Sequence, residues 1–199
     1  MEDINDLAKQ FSKHIHLSTD QWILAKFRKA ECTFRPTHII DDFEKWQEEF
    51  KLNPNTTFKP RKLEVTNNIL ALTGLTESAK RDTGETSTTA RHMGVGTGST
   101  AEAESQTALV TEITGGGYVR KDLTLEGQRK VLNQTAKYGV TFDDGDVGAT
   151  IPVTLREAGL FTLSTVGVMH ARVLFSAFTL NSGDLFVIQI NEQHANGTL

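Results

Sequence analysis

The chain is short of several things that would narrow its chemistry at once. It has one cysteine in 199 residues, Cys32, so neither an intrachain disulfide nor a site built on several thiolates can form, and the fold must rest on packing. No apolar run approaches the about 18 residues that a bilayer-spanning helix needs. The opening Met1-Glu2-Asp3-Ile4-Asn5-Asp6 carries acid where a secretion signal carries cations, so synthesis in a cytoplasm, with no membrane partner, is the expectation. Without such a signal, the glycosylation-like triplets at Asn55, Asn133 and Asn196 carry no weight. No charge sign dominates: 21 basic residues stand against 25 acidic ones, for a net charge of −4, which disfavours nucleic acid and anionic surfaces and favours protein partners. Hydrophobic residues make up 38%, a modest share that suits a chain with oligomer contacts, although 199 residues are enough to bury a core.

Familiar catalytic signatures are missing too. There is no Gly-x-Ser-x-Gly elbow and no His-Glu-x-x-His helix. The six histidines, at 14, 16, 38, 92, 170 and 194, include no His-x-x-x-His pair. His14 and His16, two apart, would point about 200° apart on a helix and do not converge on a metal. Cys32, beside Glu31 and without an activating base, reads as a packing residue. Asp143-Asp144-Gly145-Asp146 has the oxygen density that calcium favours but lacks the order of an EF-hand loop, and an Asp-Gly hairpin turn is the simpler reading. A triad or carboxylate pair assembled only in space stays open at this level, but the expectation is no enzyme, no cofactor and no metal.

The most conspicuous stretch present is Met93-Gly94-Val95-Gly96-Thr97-Gly98-Ser99-Thr100-Ala101. A phosphate-binding loop would need a Lys-Ser/Thr pair or a long apolar helix after it, and instead Glu102 and Glu104 follow. The preferred reading is a strand over residues 91–95 running into a small-residue turn, where Gly96 and Gly98 supply positive φ or allow close backbone approach.

The texture of the chain changes near residues 53–60. Before that point apolar residues recur at helical spacing. Ile4, Leu7, Ala8, Phe11 and Ile15 form one stripe; Ser18 and Gln21 have capping-box spacing ahead of Trp22, Ile23 and Phe27; and Ile39, Ile40, Phe43, Trp46 and Phe50 line a third helix. Two readings of that third stripe stand side by side. The rings pack on the neighbouring helices, or Ile39, Phe43, Trp46 and Phe50 dock on a partner subunit, because so short a region cannot enclose so many rings. A short helix is expected from Thr66 or Asn67, carrying Ile69, Leu70, Leu72 and Leu75, with a polar loop over residues 81–89. Downstream the period becomes two, with runs over residues 151–155, 159–163, 168–175 and 185–191 and turns at 164–167 and 181–184. Phe186, Ile188 and Ile190 share one face of the last run while Leu185 and Val187 make the other apolar, as in a strand covered on both sides, with another chain as one source of cover. The expected fold is α+β: a helical docking region over residues 1–62, then an antiparallel β-sandwich of jelly-roll or immunoglobulin-like type over 63–199.

Glu157 and Arg172 each interrupt an apolar strand, where an unpaired ion is costly. They pair, fixing strand register or bridging subunits, or else both lie on a solvated face.

Read in order, several segments resemble small virion proteins of tailed bacterial and archaeal viruses, of the tail-collar, tail-fibre or head-decoration type. They are Thr66-Asn67-Asn68-Ile69-Leu70, Gly94-Val95-Gly96-Thr97-Gly98, Leu109-Val110-Thr111-Glu112, Glu157-Ala158-Gly159-Leu160-Phe161, Ala171-Arg172-Val173-Leu174-Phe175 and the run from Asp184 to Asn191. The match spans roughly residues 63 to 192, and the helical region before it departs from the usual short form. The resemblance implies a non-enzymatic virion structural protein, made in the host cytoplasm and placed as repeated copies at the neck or collar, on the tail or as capsid decoration. Its partners would be copies of itself and other virion proteins, and Gly94, Gly96, Gly98, Glu157, Gly159 and Arg172 would be structural-motif residues. The alternative is a receptor- or glycan-binding fibre module, against which stands the scarcity of aromatics beyond residue 80.

Overall fold

A computed structural model describes residues 21–193 apart from 56, 68, 125–127, 133–134, 145 and 147–149. The expected first helix with Ile4 to Ile15, together with His14, His16, His194 and the triplets at Asn133 and Asn196, lies outside the described residues. In chain order the elements are β1 (Gln21–Arg28), α1 (Ile39–Leu52), β2 (Lys62–Asn67), β3 (Ile69–Leu70), α2 (Leu72–Thr83), β4 (His92–Gly96), β5 (Lys121–Asp122), β6 (Arg129–Leu132), β7 (Thr135–Asp143), β8 (Val153–Phe161), β9 (Met169–Leu180) and β10 (Asp184–Gln193). The strands form two five-stranded sheets, ordered β2-β1-β10-β7-β6 and β3-β9-β8-β4-β5, in which every pairing is antiparallel. The fold is therefore a β-rich α+β one.

The chain divides into two units, each drawn from separated stretches. The first takes the described parts of Met1–Asn67, Leu125–Asp143 and Gly183–Leu199, and the second those of Asn68–Thr124 and Asp144–Ser182.

In the first unit, the segment from Gln21 is a strand and not the expected helix. Trp22 pairs with Thr66 on one side and Ile190 on the other, which places β1 inside the sheet. Its run Trp22-Ile23-Leu24-Ala25 is buried throughout, and two apolar faces suit a central strand better than a one-faced helix. Residues 1–62 are thus not purely helical.

The helix expected at Ile39 does form. Asp41 and Asp42 sit in its first turn, where carboxylates complement the helix dipole, and Asp42 accepts Arg35 Nε at 2.9 Å and Nη2 at 2.6 Å. Its apolar face does not await a partner. Ile39, Phe43, Trp46 and Phe50 are each 2% exposed or less and pack with Ile23, Ala25 and Phe27 of β1 and Leu185 and Val187 of β10. The docking reading for these four residues is corrected: they pack on one face of this unit's own sheet, and the helix in turn covers Leu185 and Val187 without a second chain. Trp46 stacks between Phe43 at 5.2 Å and Phe50 at 5.1 Å, and its Nε1 donates to Phe58 O at 2.9 Å. Gly139 of β7 lets the helix close in, because a Cβ there would stand 2.9 Å from side-chain carbons of both Ile39 and Ile40.

In the second unit, β8 and β9 form the central hairpin, with register shifts between Leu155 and Glu157 and between Leu160 and Phe161. Runs read as two separate strands, residues 151–155 and 159–163, belong largely to the single strand β8. The helix expected from Thr66 or Asn67 also differs: those residues are strand, paired with Trp22 and Gln21, and the helix α2 starts at Leu72 and runs into the expected polar loop as far as Thr83. Cross-strand pairing overrides the local capping signal there. Gly84, at φ +77°, closes α2 by donating its N–H to Arg81 and Lys80 carbonyls. At Gly74 the helix rests directly on the His170 backbone, leaving no room for a Cβ, and Thr73 Oγ1 donates to Met169 O at 2.8 Å.

Candidate functional site: a carboxylate caged by its own loop

The register of the second sheet lines up the motif residues. Gly94 stands opposite Gly159, which stands opposite Arg172; Gly96 stands opposite Glu157. Glu157 and Arg172 are thus diagonal neighbours on adjacent strands, within reach for long side chains on one face. They meet. Arg172 Nε and Nη2 both lie 2.9 Å from Glu157 Oε2, with the side chains 2% and 0% exposed. The solvated-face reading of these two charges is set aside.

Around this pair the long segment 97–111, which has no regular secondary structure, is folded inward. Glu157 Oε1 accepts N–H groups from Thr111 at 2.7 Å and Gly98 at 3.1 Å, and Oε2 accepts one from Val110 at 3.1 Å. Arg172 Nη1 donates to Gln106 Oε1 at 2.9 Å and Nη2 to Thr100 O at 3.0 Å. Glu102, whose carboxyl is pushed up by burial and held back by the Leu174 N–H that donates to it, pins the same segment to β9. The glycine-rich stretch does cradle an anion with its backbone, but the anion is the protein's own Glu157. An internal carboxylate occupies the position a phosphate would need.

The glycines act through space and not through φ. Gly94, Gly96, Gly98 and Gly159 are absent from the positive-φ residues, so of the two expected reasons close approach is the operative one. A Cβ on Gly96 would lie 2.6 Å from Glu157 Oε1, and one on Gly98 would strike the same oxygen. Gly94 and Gly159 clear space for a second lock, where a Cβ would crowd Arg120, Phe161 and Leu109. Arg120 grips Glu112 through Nε at 2.5 Å and Nη2 at 2.8 Å, lies 3.4 Å over the Phe161 ring, and donates Nη1 to Leu163 O at 3.0 Å. Sequence reasoning did not anticipate Gln106, Arg120 or the three cradling N–H groups. One available signal was the spacing Gly94-x-Gly96-x-Gly98, which puts three missing side chains on one strand face.

The remaining candidates are dispersed. Asp143 accepts Lys29 Nζ at 2.8 Å, Asp144 accepts Ser182 Oγ at 3.0 Å, and Asp146 accepts Lys121 Nζ at 2.6 Å, so each carboxylate has its own donor. Among the described residues, no three of His, Cys, Asp and Glu gather as a metal-holding set. Cys32 is half-buried, and burial together with the neighbouring Glu31 charge pushes its thiol up to about 12, so little thiolate forms. His170 is 2% exposed beneath α2, and burial first, then the Arg81 charge, holds its imidazole down at about 4.

No family model, curated protein or solved structure matches this chain.

Proposed function

We propose that this chain is a non-enzymatic structural protein of a tailed-virus particle, placed as repeated copies at the neck or collar, on the tail or on the capsid surface, and contacting copies of itself and other virion proteins. The observation that carries the reading is the convergence of the motif residues. Gly96, Gly98, Glu157 and Arg172, quoted from separate segments for the likeness to virion proteins, form one buried centre, flanked by Gly94 and Gly159. Their shared work is to hold a loop. Both oxygens of Glu157 and all three nitrogens of the Arg172 guanidinium have partners inside the chain, which leaves this centre for positioning backbone and not for chemistry on a substrate. Holding an irregular loop rigid lowers the entropy lost when a partner binds it, and many weak copies then add up on a symmetric particle. The reading carries with it a sandwich of jelly-roll or immunoglobulin-like type and location in the virion after synthesis in the host cytoplasm.

The test is electron microscopy of intact particles carrying a labelled copy, together with mass spectrometry of purified particles. Regularly spaced label and a fixed stoichiometry are expected. Protein found free in infected cells and missing from mature particles would overturn the proposal.

A further inference from the structure

The outer edges of the two sheets are finished differently. β3 and β5 are two residues long, and β2 carries Lys62 and Glu64 along its length. Short edges and edge charges are the usual guards against a further strand. β6 is less protected. It ends the first sheet, paired with β7 on one side and, among the described residues, with no strand on the other. Its last two residues are apolar and open to solvent, Val131 77% and Leu132 45% exposed. Lys130, the cation that would guard the edge, is drawn back, its Nζ donating to Asp41 and, at 3.1 Å, to Glu44 of α1. The pairing with β7 fixes which backbone groups face out. Gly139 N–H donates to Gln128 O, so residues 128, 130 and 132 turn their backbone groups toward β7, and the alternating Arg129 and Val131 turn theirs outward. By the same alternation Lys130 and Leu132 lie on the α1 face, and Arg129 and Val131 on the other.

Three registers of antiparallel self-pairing use these outward groups, and charge separates them. Centring on Arg129 or on Lys130 sets a cation directly against its own copy, which destabilises a strand pair. Centring on Val131 sets Val131 against Val131, each N–H donating to the other's carbonyl, with the Lys130 stem beside the partner's Leu132. The two Arg129 residues then stand about 14 Å apart along the ladder, beyond the about 8 Å over which exposed charges act through salt. We infer that β6 is a contact between copies of this chain, two of which join antiparallel about a two-fold axis through Val131 and merge their five-stranded sheets into one. The contact uses up both open edges, so it closes at two copies and does not run on into a fibre. It deepens the proposed function by naming a surface for self-contact, and it rests on the part of that reading in which copies touch. Two backbone bonds and a few side chains make a weak pair, which suits contacts that act in numbers.

The test is analytical ultracentrifugation of the full chain up to millimolar concentration, with disulfide trapping in a Cys32→Ser background. A monomer–dimer equilibrium with a Kd of about 0.1–1 mM is expected, and Val131→Lys should weaken it about tenfold. Val131→Cys should crosslink to dimer under mild oxidation, because a hydrogen-bonded antiparallel pair holds its Cα atoms about 5.5 Å apart, within disulfide reach. Arg129→Cys, about 14 Å from its copy, should crosslink about tenfold more slowly. Val131 and Arg129 are both exposed, so these changes leave the core untouched. A chain that stays monomeric at millimolar concentration, a dimer that tolerates Val131→Lys, or equal trapping at Arg129 and Val131 overturns the inference. So does protection of the Val131 N–H from hydrogen exchange only when another virion protein is added, which assigns the edge to that protein. Presence in particles does not enter this measurement, so each reading can fail without the other.

Discussion

Replacing Glu157 with Gln alters one atom and sets it against donors in either orientation. If the amide nitrogen takes the Oε1 position it faces the N–H groups of Gly98 and Thr111; at Oε2 it faces Val110 N–H and the Arg172 guanidinium. Either way buried donors lose an acceptor, and a guanidinium that is 2% exposed loses the carboxylate charge it is bonded to. Breaking a buried ion pair from one side costs about 3–5 kcal/mol. Against a total of about 5–15 kcal/mol that is a large fraction. For a chain of this length it corresponds to a fall in Tm of about 6–20 °C. Thermal and urea unfolding measure the loss, and hydrogen exchange at Gly98, Val110 and Thr111 locates it, since those amides should open before the strands do. In an Arg172→Met background the same change should cost less, because the stranded cation is already gone. A Glu157→Gln penalty below about 1 kcal/mol, or additivity of the two changes within about 0.5 kcal/mol, would refute the caged-carboxylate account.

Two further outcomes follow from neighbouring geometry. Gly96→Ala, which forces a methyl toward Glu157 Oε1 and Thr111 O, should destabilise by about 1–3 kcal/mol and make residues 97–111 sensitive to protease; unchanged stability and cleavage would contradict the close-approach role. For His170, native burial holds the imidazole at about 4 whereas the unfolded chain titrates near 6.5, so protons bind preferentially to the unfolded chain between those values. Stability is complete above about pH 6.5 and declines as pH falls toward 4, by about 3 kcal/mol at most. His170→Gln should remove that part of the slope in urea titrations across the window, and an identical slope in the variant would refute it.

What the sequence made legible follows from how local each signal was. The α1 stripe and the two-faced apolar run of β10 declare themselves within a dozen residues, and both form. Glu157 and Arg172 stood out because ions inside apolar strands demand a partner, and they found each other 15 residues apart. The cradle was not legible, because its N–H groups come from residues 46 to 59 positions away and carry no side-chain signature. Distance also explains the misreading of the aromatic stripe. The cluster that buries Phe43 and Trp46 takes in Leu185 and Val187 on the last strand and also Ile23 and Phe27, whose capping-box neighbours suggested a helix. Thr66 and Asn67 misled in the same way, since their capping chemistry was spent beside a strand partner that local spacing does not reveal.

The interior position of β10 constrains how this molecule comes into being. Arg28 must find Asp184, and Lys137 must find Asn191, so the strand that joins the two earlier parts of the first sheet is made after both of them. Nascent β1 and β7 therefore wait, with the ladder edges that β10 pairs left open, until residues 184–193 have been made. A premature stop before residue 184 would not merely shorten the product. It would leave two half-sheets with nothing to join them, a species destined for chaperones or aggregates.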